Sequence, residues 1–446
     1  MHRMAIHMHI SADSAVLPRM MAGQEAPAAP LPTARGSETP MTDPEKPLDQ
    51  TPGPEQAART PSQDPDKARR RRRRTRVYQA VLAVSALGIG YVGVTLTPYL
   101  TAPGTDPFAA RVAEWARDHH MSMAVTWLEN ETYTAPATGG KLDAAQLAQL
   151  HAKNGAAGGD ARENLRLAPA DHPADIAPFA AGSIAGEGVF SPAVAGPLGN
   201  PIVETAALRP DADHTSSLAY VAWLNQKALT FTLHPGYQQP GGTWNEPDYL
   251  SAALRPRLVA TWNGGFKVEP DDAMGGFYED GRTAVPLVDG KAAEVFYKDG
   301  SLKIGMWGRD VGMADNVAAV RENLNLLVDN GNVAVGEYDG SGADWGYTIK
   351  GWYYIARSGV GVTANGDIVY VGGSELSVYT LAKLLKAAGA VNAMELDINP
   401  DWTSFMTYNG LKNPQNPAAT KMWDFDQPAD RYFSPSDRDF VSVHAR

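Results

Sequence analysis

Within VNAMELDINPDWTSFM, Val391 to Met406, two carboxylates stand two residues apart at Glu395 and Asp397. If this run is a strand over 391–398, side chains alternate across it and both acids fall on one face. Their Cβ atoms are then roughly 6 to 7 Å apart, from two rises of ~3.3 Å. A pair at that separation can divide acid and base roles, or it can be a solvent-facing surface with Arg or Lys opposite. Asp397, Asn399 and Asp401 also follow the D-x-N-x-D opening of a calcium loop. That match fails further on, because Trp402 replaces the loop glycine, Pro400 stiffens it and Tyr408 stands where the bidentate Glu belongs. The expectation is therefore no metal and no cofactor, with calcium as the minority alternative.

Two further segments carry chemistry-bearing residues. In LVATWNGGFKVEP a buried strand, Leu258 to Trp262, runs into Asn263, Gly264 and Gly265, with Lys267 just beyond. Paired glycines let backbone N–H groups approach a ligand closely, and they equally make an ordinary turn. In YYIARSGVGV, Arg357 interrupts an otherwise apolar strand and has to pair with a structural carboxylate or grip an anionic ligand through its planar fork. Trp402 and Trp262 could stack on a sugar face or fill the core. There is no G-x-S-x-G elbow, P-loop, dinucleotide fingerprint or H-E-x-x-H.

These segments need a scaffold, and the chain supplies one late. Of 446 residues, 43% are hydrophobic and none is Cys, which excludes disulfides, thiolate metal sites and a Cys nucleophile. The net charge is −11, and residues 1–100 are on balance basic, so the C-terminal part is strongly acidic and no nucleic-acid partner is expected. Residues 1–76 read as a disordered cytoplasmic tail ending in the Arg69–Arg74 cluster. Val77 to Leu100 holds no charge, and at ~1.5 Å per residue it can cross a ~30 Å hydrocarbon core. The adjoining cluster places the N-terminus in the cytoplasm and everything after Leu100 outside, a single-pass cell-membrane protein.

Residues 101–185 read as a juxtamembrane helical and linker region. A helix from Asp106 to about Tyr133 has Phe108, Val112, Trp115 and Ala116 on one face, and LDAAQLAQLHAKNG is a second helical pattern. From 186 to 446 short strands alternate with turn signals at Asp299-Gly300, Asn330-Gly331 and Asn365-Gly366, the first suited to a type I′ turn. One amphipathic helix, LSVYTLAKLLKAAGA, turns Leu381, Leu384 and Leu385 inward and stops at Gly389. The class is α+β, a mixed sheet rich in hairpins with packed helices.

In order and spacing, NGGF at 263–266, ARSGVGV at 356–362, the helix ending KAAGA and AMELD at 393–397 resemble the phosphodiester glycosidase family, which includes an enzyme that uncovers mannose 6-phosphate on lysosomal hydrolases by removing N-acetylglucosamine. The likeness extends more loosely over 186–446. It implies a hydrolase acting on a carbohydrate or sugar-phosphate substrate. Arg357 would lie on the phosphate, and Asp397 with Glu395 at the reacting carbon. Asn263, Gly264, Gly265, Lys267, Asp401 and Trp402 would bind substrate. The family continues L-D-G-G-G-S where this chain has LDINPDW. That departure supports an alternative, a non-catalytic envelope module that binds anionic glycans on the same fold. A glycosidase for neutral sugars, with Arg357 paired to a carboxylate, is a third reading.

Overall fold

The computed structural model describes residues 65–157, 172–268, 274–337, 339, 342, 344–346, 348 and 353–446. The tail expected to be disordered lies outside them up to residue 64. The chain divides into two compact units, one ending at Thr95 and the other taking in Leu96–Arg446. Helix α1 (Pro65–Leu100) contains the whole arginine cluster as well as the apolar run. Arginine is a good helix former, so the cluster continues the helix where a disordered tail to residue 76 was expected. Asp66–Leu100 is the one described helix long and apolar enough to cross a membrane, by length and composition.

The expected helix over 106–133 is two helices, α2 (Phe108–Asp118) and α3 (Ser122–Thr132). The break falls at His120, which adopts a left-handed φ of 63°. Trp115 and Ala116 are buried as the pattern requires, but Phe108 is 68% exposed. It lies seven residues from Trp115, about 10 Å along the axis, at the open end of the docked face. Helix α4 (Ala144–Ala157) begins with a reciprocal cap, in which Gln146 N donates to Asp143 Oδ1 and Asp143 N to Gln146 Oε1, both at 2.8 Å. Its Leu150, with Leu142, enters the main core, so this region packs into the same compact unit as the strands.

Among the described residues eighteen strands follow: β1 (Ser191–Ala195), β2 (Pro201–Leu208), β3 (Ala219–Leu224), β4 (Leu229–His234), β5 (Leu258–Asn263), β6 (Phe277–Glu279), β7 (Arg282–Val285), β8 (Ala292–Tyr297), β9 (Leu302–Met306), β10 (Val317–Glu322), β11 (Leu326–Asp329), β12 (Asn332–Val333), β13 (Ile355–Thr363), β14 (Ile368–Leu376), β15 (Ala390–Glu395), β16 (Phe405–Tyr408), β17 (Ala419–Lys421) and β18 (Phe440–Ala445). They form an eight-stranded sheet ordered β1-β2-β3-β14-β13-β15-β11-β12 and two five-stranded sheets, β7-β6-β10-β8-β9 and β17-β16-β5-β18-β4. The fold is α+β, and each ladder within the three sheets is antiparallel.

The turns follow their residues with one correction. Asn330 and Gly331 both have positive φ, 48° and 77°, as a type I′ turn demands. At Asp299-Gly300 only Gly300 is left-handed, so the expected type I′ turn is replaced by a longer loop that Ser301 closes, its N donating to Asp299 Oδ1. Helix α5 (Val378–Ala387) starts on a Ser377 cap that accepts from Thr380 N, and it lays Leu381, Leu384 and Leu385 on the large sheet. A second apolar layer, including Trp262, Tyr370 and Phe405, covers the opposite face. Strands β13, β14 and β15 are therefore buried on both faces, which is why their sequences do not alternate cleanly.

Candidate active site

β13 and β15 pair with Gly359 opposite Glu395, and this register brings Arg357 within reach of the end of β15. Arg357 Nη1 donates to Glu395 Oε1 at 2.5 Å, and its Nε donates to the Leu376 carbonyl. Both side chains are fully buried. Of the two partners left open for Arg357, the structure supplies the carboxylate, and that carboxylate is the residue expected to share acid and base work with Asp397. Arg357 Nη2 and Glu395 Oε2 carry no hydrogen bond. Burial raises the Glu395 carboxyl to about 7, against the opposing pull of Arg357.

Asp397 lies just past the end of β15, and Ser358 fixes the backbone there. The Ser358 hydroxyl donates to the Asp397 carbonyl at 3.0 Å and accepts from Asn263 Nδ2 at 3.0 Å. Asn263 Oδ1 in turn accepts from the Tyr370 hydroxyl and from Ser404 N. The three sequence segments thus meet through Asn263, Ser358 and Asp397. Beyond Asp397 the loop is held by two successive side-chain turns, in which Asp397 Oδ1 accepts from Asn399 N and Asn399 Oδ1 from Asp401 N. The spacing that mimicked a calcium loop serves these turns, and among the described residues no group of three or more Asp, Glu or His is arranged to hold an ion.

The diglycine bend makes room for the protein's own groups. A Cβ on Gly264 would fall 2.1 Å from Asp439 Oδ2, and one on Gly265 would fall 3.1 Å from Arg321 Nη2. Neither glycine has positive φ, so space and not backbone conformation requires them. Asp439 Oδ2 accepts from Arg321 Nε at 2.8 Å, while its Oδ1 is buried without a partner. Burial raises the Asp397 carboxyl to about 6, with Arg438 pulling it down and Asp439 pushing it up. Asp397 therefore stands between a cation and a second carboxylate that the sequence reading did not name.

Arg431, Asp437, Arg438 and Asp439 come from the run before and into β18. Arg438 and Arg431 lie over the Trp402 ring, at 4.8 and 5.4 Å from its centroid. Trp402 is buried against these cations, and Asp401 beside it is 4% exposed. Lys267 does not join them, since it pairs with Glu114 of α2 at 2.8 Å. That contact belongs to a strap, residues 103–114, laid across this face. Tyr237 donates to the Pro103 carbonyl, Thr105 to Gln427 Oε1, and Gln427 Nε2 to Asp106 Oδ1. Arg111 clamps the bend before α2 through the carbonyls of Ala102 and Gly104. Trp262 packs in the aromatic core against Phe405 and Tyr370.

A motif signal for the missed residues was present only in DRD at 437–439, since a run of alternating charges inside an apolar C-terminal segment must find partners.

Residues 256–419 match the model of the phosphodiester glycosidase family. No curated protein matches the chain. Among solved structures it is similar to the catalytic domain of zebrafish N-acetylglucosamine-1-phosphodiester alpha-N-acetylglucosaminidase, auto-inhibited by its pro-peptide, at 15% identity and a TM-score of 0.36, over 57% of this chain and 87% of that one. It is also similar to a hypothetical protein from Synechocystis at 12% identity and a TM-score of 0.35, over 55% of this chain and 63% of that one. Over residues 256–419, which hold NGGF, ARSGVGV and AMELD, the chain is thus matched to the phosphodiester glycosidase family.

Proposed function

We propose that this chain is a membrane-anchored, extracytoplasmic hydrolase that cleaves sugar-1-phosphodiester linkages of envelope glycans or glycolipids. The observation that carries the reading is Asp397, 4% exposed at a strand end, its carboxyl raised to about 6 beside the ion-paired carboxylate Asp439. Two carboxyls in unlike surroundings can divide acid and base work. In the proposed reaction the C1–O bond to phosphate breaks and Asp397 gives its proton to the departing phosphate oxygen. Asp439 takes a proton from the water whose oxygen bonds to C1. Phosphate leaves more readily than an alkoxide, so proton donation has little to supply and stabilisation of charge has much. Arg357, paired with Glu395, holds the end of β15 in register and so positions Asp397.

The test uses the full chain in detergent with a sugar-1-phosphate diester, following release of the phosphomonoester. Asp397→Asn is expected to lower kcat by at least about 10²-fold, the lower end of the range for loss of a general acid. Equal turnover by wild type and Asp397→Asn removes the catalytic assignment. The side-chain turns that stiffen LDINPDW favour a second reading, a binding module. Glycan binding without turnover, unchanged in Asp397→Asn, decides for it.

A further inference from the structure

The two arginines that could meet a phosphate differ in what already holds them. Arg357 is fully buried, gives Nη1 to Glu395 and Nε to the Leu376 carbonyl, and leaves only Nη2 without a hydrogen bond. Arg438 keeps 6% of its surface exposed, lies over Trp402 with its Cζ 4.8 Å from the ring centroid, and among the described residues its only carboxylate at ion-pair distance is Asp437, with Nε 3.9 Å from Oδ2. That is too long for a hydrogen bond, and Arg438 Nε has no partner. A buried guanidinium left in that state is costly unless something else accepts from it.

The neighbouring unpaired atoms are donors as well. Trp402 Nε1 and Asn399 Nδ2 have no acceptor, although both residues are buried. An indole N–H can only donate, and the Asn399 oxygen is already taken by Asp401 N, so what is left there also only donates. Arg431 adds a second cation on the same indole ring and is itself spent only on the carbonyls of Asp401 and Trp402. The exceptions are Asp437, with both oxygens unpaired, and Asp439, whose Oδ1 has no hydrogen bond while its Oδ2 is held by Arg321. Burial, with Asp106 and Glu114 nearby, raises the Asp437 carboxyl strongly and favours its protonated, donating form. A loop with two unpaired donors, flanked by two guanidiniums of which one has an unpaired Nε, matches a group that carries several acceptor oxygens and negative charge.

We infer that Arg438, stacked on Trp402 and supported by Arg431 and Asn399, is the binding site for the phosphoryl group, and that Arg357 is a positioning residue that never contacts it. The inference deepens the hydrolase reading and rests on it for the substrate, but its test needs no turnover. It also places the two cations of the anion site, Arg438 and Arg431, outside residues 256–419, the part matched by the family, while Trp402 and Asn399 lie within it.

Inorganic phosphate is titrated by calorimetry into the full chain in detergent. Arg438→Gln is expected to weaken binding at least 10-fold, and Arg438→Lys to fall between it and wild type, because an ammonium keeps the charge and loses the fork. Trp402→Phe, which keeps the ring and removes the N–H, is expected to weaken binding several-fold and guards against a misfolded Arg438→Gln. The double variant Arg357→Met/Glu395→Leu removes both members of the buried pair, so no orphan charge remains, and it is expected to bind phosphate as wild type does. Undiminished binding by Arg438→Gln, loss of binding in the double variant, or no binding by wild type overturns the inference. Arg438-dependent phosphate binding in a chain that cleaves no sugar-1-phosphate diester keeps the site and refutes the hydrolase reading. Turnover with an unchanged KM in Arg438→Gln does the reverse.

Discussion

The Asp397 carboxyl is raised to about 6 chiefly by burial, so a rate that needs its proton is full below that value and is lost as pH rises through it. The expected log(kcat/KM) profile for a sugar-1-phosphate diester falls with unit slope above about pH 6, and a rate that climbs from pH 6 to 8 excludes Asp397 as the acid. Glu294 gives an independent reading of stability. It is fully buried on β8, and burial with Asp439 nearby raises its carboxyl to about 8 against the opposing pull of Arg321 and the Trp262 indole. A folded-state value above the unfolded one means that the folded chain holds the proton more tightly. Its contribution is therefore complete below about 4.5, shrinks as pH rises toward 8 and is then gone. Glu294→Gln mimics the protonated form, so its melting temperature is expected to match wild type near pH 5 and exceed it at pH 9, by an amount worth on the order of a few kcal/mol. Parallel melting curves across that range would contradict the assignment.

Strand β13 owes Gly359 to β15 and to the helix packed on it. A Cβ at Gly359 would come 2.8 Å from the Met394 carbonyl and 3.0 Å from Leu385 Cδ1 of α5. Gly359→Ala is expected to cost about 1–3 kcal/mol, the usual penalty for overpacking, and to weaken Asp397-dependent turnover by shifting β15. Denaturant midpoints measure the first, and unchanged stability would show that α5 can move away. The strap at 103–114 is pinned by a different glycine. Gly104 has φ 101°, and a Cβ there would lie 2.7 Å from the Pro435 carbonyl. Gly104→Ala is expected to speed proteolysis within 101–118 while the strands stay resistant. Cleavage at the wild-type rate would mean that the strap does not depend on that contact.

Leu96–Leu100, the end of the apolar helix, belongs to the same compact unit as the strands. Within that unit the Tyr99 hydroxyl donates to Asp118 Oδ2 at 2.8 Å, and Arg111 Nη1 donates to the Tyr99 carbonyl. The proposed anchor puts the arginine cluster on the cytoplasmic side, and on that proposal protease added to intact cells is expected to reach residues after 100 and to leave 65–76 protected. The chain is expected to stay in the membrane fraction after alkaline extraction; its recovery in the soluble fraction, shortened to begin near residue 100, would mark the helix as a cleaved signal sequence.

Much of the scaffold was legible because its causes are local. The Asn330-Gly331 turn, the Ser377 cap, the inward leucines of α5 and the apolar run up to Leu100 each depend on neighbours within a few residues, so spacing alone reports them. The breaks at His120 and Asp299-Gly300 escaped because a single left-handed residue leaves the hydrophobic period intact. At the site, the sequence by itself singled out three segments that the fold brings together, namely those of Asn263, Arg357 and Asp397. Only the tertiary structure decided who pairs with whom. The register of β13 on β15 gave Arg357 to Glu395, and the return of β18 beside β5 set Asp439 against Gly264 and Arg438 over Trp402. A buried charge takes whatever partner the folded chain brings within about 4 Å, and no spacing along the sequence encodes that distance.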